Sequence, residues 1–313
     1  MEAEFLAWLR GRLPAVKPPI DIGVGDDAAV IACAADSRIV VTTDMLSDGV
    51  DFRLGEVDPR RVGRKALAVN LSDLAAMAAR PIATFVSLLL PRSGGTALAR
   101  ELYEGLLPLA EEFSAPVVGG DTNAWDGPLA ISVTAIGRAG PHGVFVRSGA
   151  RPGDAILVTG EFGGSILARQ FDFTPRVREA LWLREHAKVH AAMDVSDGLT
   201  LDLSRLCVES GSGAELELSR IPISSHARRL VAVEQLSLSP LHHALNDGED
   251  FELLLAVDAA DAARLVADQP LESLFGVRLT QIGRVITERG LWGIDAAGTR
   301  SPLEPGGFQH RFD

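Results

Sequence analysis

The chain is poor in lysine, cysteine and aromatic residues, and each scarcity excludes something. Its three lysines are Lys17, Lys65 and Lys188, and none follows the glycine pattern of a Walker phosphate loop. Its two cysteines, Cys33 and Cys207, match no metal spacing and form no disulfide framework. Both read as small buried hydrophobes in a reducing compartment. The seven histidines are scattered, so no zinc-type cluster is present, and no nucleophile elbow occurs. The longest apolar run, around residues 85–90, is too short to span a bilayer. The amino terminus has neither the basic start nor the apolar stretch of a signal peptide, which leads us to expect a cytoplasmic protein.

Positive charge is also in deficit. There are 30 basic against 42 acidic residues, a net charge of -12, which argues against nucleic acid and anionic membranes as partners. Such a surface repels phosphorylated small molecules as well, so a phosphorylated substrate needs cations to mediate its contact. With 313 residues, 47% of them hydrophobic, the chain can bury a large core, and two domains are expected.

Strand-like and helix-like segments alternate. Residues 38–43 read as a strand, and Asp58-Pro59 as an N-cap with proline opening a helix that runs to about 79 and is stopped by Pro81. Residues 84–90, 115–118 and 129–137 read as strands and 95–113 as a helix. The break at Ala139-Gly140-Pro141-His142-Gly143 divides an expected domain 1–140 from a domain 141–313. Beyond it, strands are expected at 155–158, 191–193, 251–257 and 279–286, and helices from 165 and over 199–209. The fold class is α/β (α+β), with two mixed α/β domains.

Two glycine-rich stretches invite a nucleotide reading. Gly23-Val24-Gly25-Asp26-Asp27-Ala28 meets a loose dinucleotide pattern, but a strand rather than a helix follows it, so we reject it. Gly160-Glu161-Phe162-Gly163-Gly164 reads first as a tight strand-to-helix turn and second as a phosphate loop.

Aspartate is the recurrent feature. Gly25-Asp26-Asp27, Thr42-Thr43-Asp44, Asn70-Leu71-Ser72-Asp73, Gly119-Gly120-Asp121-Thr122 and Asp194-Val195-Ser196-Asp197-Gly198 each set carboxylates beside glycine or a hydroxyl, next to an apolar segment. Taken singly, each is a helix cap or a turn. Taken together, they point to a site holding several magnesium ions and a phosphate, because magnesium takes hard oxygen ligands and glycine lets backbone amides approach phosphate. The Asn70–Asp73 and Asp194–Asp197 segments also echo one another.

In this order the segments resemble the thiamine-monophosphate kinase family of the aminoimidazole-ribonucleotide-synthetase-like superfamily. The likeness extends through Arg147-Ser148-Gly149-Ala150-Arg151-Pro152-Gly153-Asp154 and Gly248-Glu249-Asp250-Phe251-Glu252-Leu253. The resemblance implies magnesium ligands at Asp27, Thr42, Thr43, Asp44, Asp73, Asp121, Asp194 and Asp197. It implies ATP contacts at Tyr103, Gly120, Arg147 and Ser196, and contacts to the thiamine moiety at Glu249 and Phe308. Two departures fall on the acceptor side. Gly49-Val50-Asp51-Phe52 carries Asp51 where the family usually has histidine, so Asp51 is assigned to substrate as a partner for the cationic ring. Asp247 stands where the family often has glycine. The implied reaction converts ATP and thiamine monophosphate to ADP and thiamine diphosphate by direct transfer without a general base, in a homodimer paired through its N-terminal half. Alternatives are a carbonyl- or amide-activating ATP enzyme of the same superfamily and a nucleotide-binding subunit without turnover.

Overall fold

The computed structural model describes residues 18–22, 26–34, 37–167, 169–234 and 238–309. The amino-terminal residues 1–17, the glycines at 23 and 25 and His310 lie outside that set. The first half builds one sheet from β1 (Ile20–Ile22), β2 (Ala29–Ala34), β3 (Ser37–Ser47), β4 (Ala79–Pro91), β5 (Val117–Trp125) and β6 (Ala130–Ala139). Their order is β1-β2-β3-β6-β4-β5, and only the β4–β5 pairing is parallel. Among the described residues, two helices, α1 (Pro59–Ala76) and α2 (Gly95–Glu112), complete it.

α1 starts as its sequence dictates. The Asp58 side chain accepts from the Arg60 amide at 2.9 Å, and Pro59 takes the first helical position. It ends at Ala76, earlier than Pro81 suggests. Ala78 adopts φ +49°, the chain reverses, and Pro81 falls inside β4 where the register against β6 shifts. At such an irregularity the missing N–H of proline is tolerated. β5 likewise runs past the glycines that looked like its end. A Cβ at Gly120 would lie 1.8 Å from the Val86 carbonyl oxygen, so this glycine serves close strand approach rather than a turn. Cys33 is exposed near the end of β2, contrary to the buried reading, whereas Cys207 is buried and its thiol is pushed up to about 12 by that burial.

The second half is also mixed α/β. Its strands are β7 (Ala155–Thr159), β8 (Val189–Asp194), β9 (Gly213–Glu217), β10 (Leu253–Val257), β11 (Leu279–Ile286), β12 (Gly290–Ile294) and β13 (Arg300–Pro302). They are ordered β13-β12-β9-β11-β7-β10-β8. Helices α3 (Arg169–Asp172), α4 (Val177–His186), α5 (Leu199–Ser210), α6 (Ser225–Glu234), α7 (Pro240–Asn246), α8 (Ala259–Asp268) and α9 (Pro270–Phe275) flank the sheet. β7 and β10 are buried on both faces. Ala155, Leu157, Leu253 and Leu255 join the core containing Leu67 and Leu71 of α1, while Ile156, Val158, Leu254 and Ala256 join Leu199 and Leu203 of α5. This double burial explains why these strands read as unbroken apolar runs instead of alternating.

α1 is therefore the keel of the molecule. It packs on β3 and β6 of the first sheet and on α4 and β8 of the second half. Among the described residues, no helix is long and apolar enough to cross a membrane.

Candidate active site

The centre lies where α1 meets the end of β8. Asp27, Asp73 and Asp194 each offer a carboxylate oxygen, and these atoms all fall within 4.8 Å of one another. Asp27 lies just before β2, Asp73 projects from the last turns of α1, and Asp194 is the last residue of β8. Three segments far apart in sequence thus deliver three carboxylates to one point, and Asp27 and Asp194 are buried.

Neighbouring groups orient them. On β3, Thr42 and Asp44 share the face toward α1, as alternate strand residues must. The Thr42 hydroxyl donates to Asp73, and Asp44 shares a hydrogen bond with the same carboxyl group. The Ser72 hydroxyl donates to Asp194 Oδ2 at 2.5 Å. Arg147 grips Asp27 bidentately, with Nε and Nη2 each 2.8 Å from a carboxylate oxygen, and its amide donates to Asp26 at 3.2 Å.

The electrostatics follow from burying like charges together. Burial, then the charges of Asp44 and Asp194, push Asp73 well above the usual carboxylate range. Asp194 is raised in the same way by burial and by Asp27. Burial lifts Asp44 to about 6, and burial together with Asp27 lifts Asp26 to about 6. One arginine at the edge does not neutralise this set. A divalent cation would, and a donor set of carboxylates with a hydroxyl suits magnesium.

A second group adjoins the first. Lys65, wholly buried on α1, forms an ion pair with Glu249 and donates to the Asp51 carbonyl oxygen at 3.1 Å and to Gln170 Oε1 at 2.6 Å. The Asp51 carboxylate itself accepts from the Ser47 amide at 2.7 Å. Glu249 has φ +66°, and its amide donates to the Ser196 carbonyl at 2.6 Å.

The remaining expected residues lie apart from the carboxylate centre. The Thr43 side chain points to the opposite face of β3, where it meets Thr134 and the Val133 carbonyl. Asp197 accepts from Arg205 at 2.5 Å, and its carbonyl accepts from the Phe308 amide at 2.9 Å. Gly120 and Asp121 sit on the edge strand β5, three strands from β3 and so roughly 14 Å away. Tyr103 packs on the core from α2.

Residue-type reasoning missed Ser72, Lys65, Asp202 and Arg205. Asp202 is buried, accepts from the amides of Asp197 and Gly198, and is pushed up to about 7 by burial and by Asp197. Lys65 gave no distinct signal, since it follows Arg60, Arg61 and Arg64 in the sequence. The glycine turn at 160–164 follows its first reading. The amides of Gly163 and Gly164 donate to the carboxylates of Asp250 and Asp247, at 2.9 Å each, so the turn cradles the chain's own acids.

Residues 25–139 match the AIR synthase related protein N-terminal domain, and residues 151–293 match the corresponding C-terminal domain. The thiamine-monophosphate kinase of Rhodopirellula baltica is 43% identical, over 99% of this chain and 97% of its own length. A solved structure described as AaThiL complexed with AMPPCP and TMP superposes with a TM-score of 0.83 at 27% identity, covering 99% of this chain and 97% of that one. The thiamine-monophosphate kinase of Stenotrophomonas maltophilia superposes with a TM-score of 0.73 at 34% identity, covering 93% and 96%. The chain belongs to the thiamine-monophosphate kinase family of the AIR synthase related proteins.

Proposed function

We propose that this chain phosphorylates thiamine monophosphate to thiamine diphosphate at the expense of ATP, using several magnesium ions. The observation that carries the reading is the convergence of Asp27, Asp73 and Asp194 at the junction of the two halves. Magnesium held there supplies the positive charge that lets an anionic acceptor approach an anionic donor. Thr42 and Asp44 belong to the same cation site, and Arg147 adds a fixed guanidinium for the ATP phosphates. We assign Thr43, Asp121 and Asp197 to magnesium and Tyr103, Gly120 and Ser196 to ATP on the family resemblance.

The acceptor needs no catalytic base. A phosphate monoester loses its second proton near pH ~6, so its attacking oxygen is already ionised at neutral pH. Asp51 and Glu249 supply carboxylates for the cationic thiamine ring, and Phe308, half exposed beside Asp197, supplies an aromatic face.

The same reading makes residues 1–140 a cation- and ATP-binding, dimerising domain and residues 141–313 the domain that completes the site. β5 has no partner on its outer edge among the described residues, and Phe85, Val118 and Trp125 are exposed on β4 and β5, which supports a homodimer through this sheet. A cytoplasmic location accords with the composition. The test is direct: purified chain with ATP, magnesium and thiamine monophosphate is expected to form ADP and thiamine diphosphate in equal amounts. Nucleotide binding without turnover is the result that supports the non-catalytic alternative.

A further inference from the structure

The carboxylate of Glu249 is presented, not merely present. Its side chain is 32% exposed, while the lysine it pairs with is 0% exposed, so the cation sits behind the carboxylate on the protein side. Lys65 has three N–H donors and three acceptors to receive them: Glu249, Gln170 and the carbonyl oxygen of Asp51. Those partners come from three separate segments: the loop before α1, helix α3, and the loop between α7 and β10. With every donor engaged and no exposed surface, Lys65 cannot touch a substrate.

The loop carrying Glu249 is otherwise fixed through its flanks and its backbone. The Gly163 and Gly164 amides hold Asp250 and Asp247, and the Ser196 carbonyl holds the Glu249 amide. Among the described residues, the direction of the Glu249 side chain is left to Lys65. Stability alone does not require such a pair, because an apolar side chain of similar volume would pack beside the Phe171 ring, whose centroid lies 5.2 Å from the Lys65 nitrogen, without burying a charge.

We propose that Lys65 is the positioning residue of the acceptor side, acting by aiming the Glu249 carboxylate at the bound cationic ring. The inference rests on the phosphoryl-transfer reading above. It makes acceptor recognition depend on a bond from α1 in the first half to a loop of the second half, while leaving the ATP side untouched.

The experiment is steady-state kinetics on the full chain, varying thiamine monophosphate and ATP separately, for Lys65→Met, Glu249→Gln and the double variant. Lys65→Met is expected to raise the acceptor KM by roughly tenfold or more while the ATP KM stays within about twofold. If Lys65 acts through Glu249, the double variant matches Glu249→Gln alone to within about threefold in acceptor KM. Should Lys65→Met fail to fold with its carboxylate left unpaired, the double variant carries no orphaned charge and the comparison with Glu249→Gln still decides. An equal rise in both KM values for Lys65→Met, or a further tenfold loss in the double variant, overturns the proposal. Wild-type chain that does not turn over thiamine monophosphate sinks the functional reading instead, which separates the two failures.

Discussion

Ser72 donates a hydrogen bond of 2.5 Å to Asp194, and with it a helix of the first half grips the end of a strand of the second. The two residues belong to the segments that echo each other in sequence, so the echo marks two sides of one site. Ser72 also leaves Asp194 one oxygen free to face Asp27 and Asp73. Removing the hydroxyl takes away one charge-assisted bond of about 1.5–3 kcal/mol. Ser72→Ala should keep its fold and need several-fold more magnesium for half-maximal activity. An unchanged magnesium requirement would show that this bond does not orient a cation ligand.

Asp73→Asn removes one charge from a crowded acidic centre. Without magnesium, the variant should melt at or above the temperature of the parent, because its neighbours lose a repelling charge. Its activity should fall by about two orders of magnitude or more. Magnesium should also stabilise it less than the parent in a thermal melt. Near-normal turnover at saturating magnesium contradicts the cation site.

Asp250 tests the buried support beneath the acceptor loop. Burial is the main cause raising its carboxyl from 3.8 to about 7, against hydrogen bonds from Ser165 and Gly163. A carboxyl raised in the folded state favours folding while protonated. Its contribution is full below about pH 4 and is lost as pH climbs through about 7. Asp250→Asn should therefore flatten the fall in stability between about pH 4 and about pH 7, read by urea unfolding. A slope identical to the parent's excludes Asp250 as its source.

Asp51 is one of the two departures from the family pattern, and its carboxylate is tied to the Ser47 amide at 2.7 Å. Asp51→His should change the acceptor KM by several-fold and leave that of ATP within about twofold, as for any residue that contacts one substrate only. Equal changes in both would place Asp51 elsewhere than on the acceptor side.

Much of this was legible because local chemistry and tertiary role coincide. Asp58-Pro59 caps α1 as its sequence requires, and the aspartates at 27, 73 and 194 stand beside or within apolar segments, where a carboxylate needs a reason. What stayed hidden depends on long-range placement. Pro81 reads as a helix stop because no local rule reveals the register shift that accommodates it in β4. The glycine turn at 160–164 gives no hint that Asp247 and Asp250, more than eighty residues away, fill its amides. Thr43 looks equivalent to Thr42 in sequence, and only strand alternation sends its side chain to the other face.

On the proposal above, the carboxylates of Asp27, Asp73 and Asp194 serve magnesium-assisted phosphoryl transfer to thiamine monophosphate. Phosphorus NMR of one reaction mixture tests it most directly, following ATP and thiamine monophosphate with and without magnesium. Thiamine diphosphate and ADP are expected to appear together, one for one, only when magnesium is present. ADP with free phosphate and no thiamine diphosphate, or full transfer after chelation of divalent cations, contradicts it.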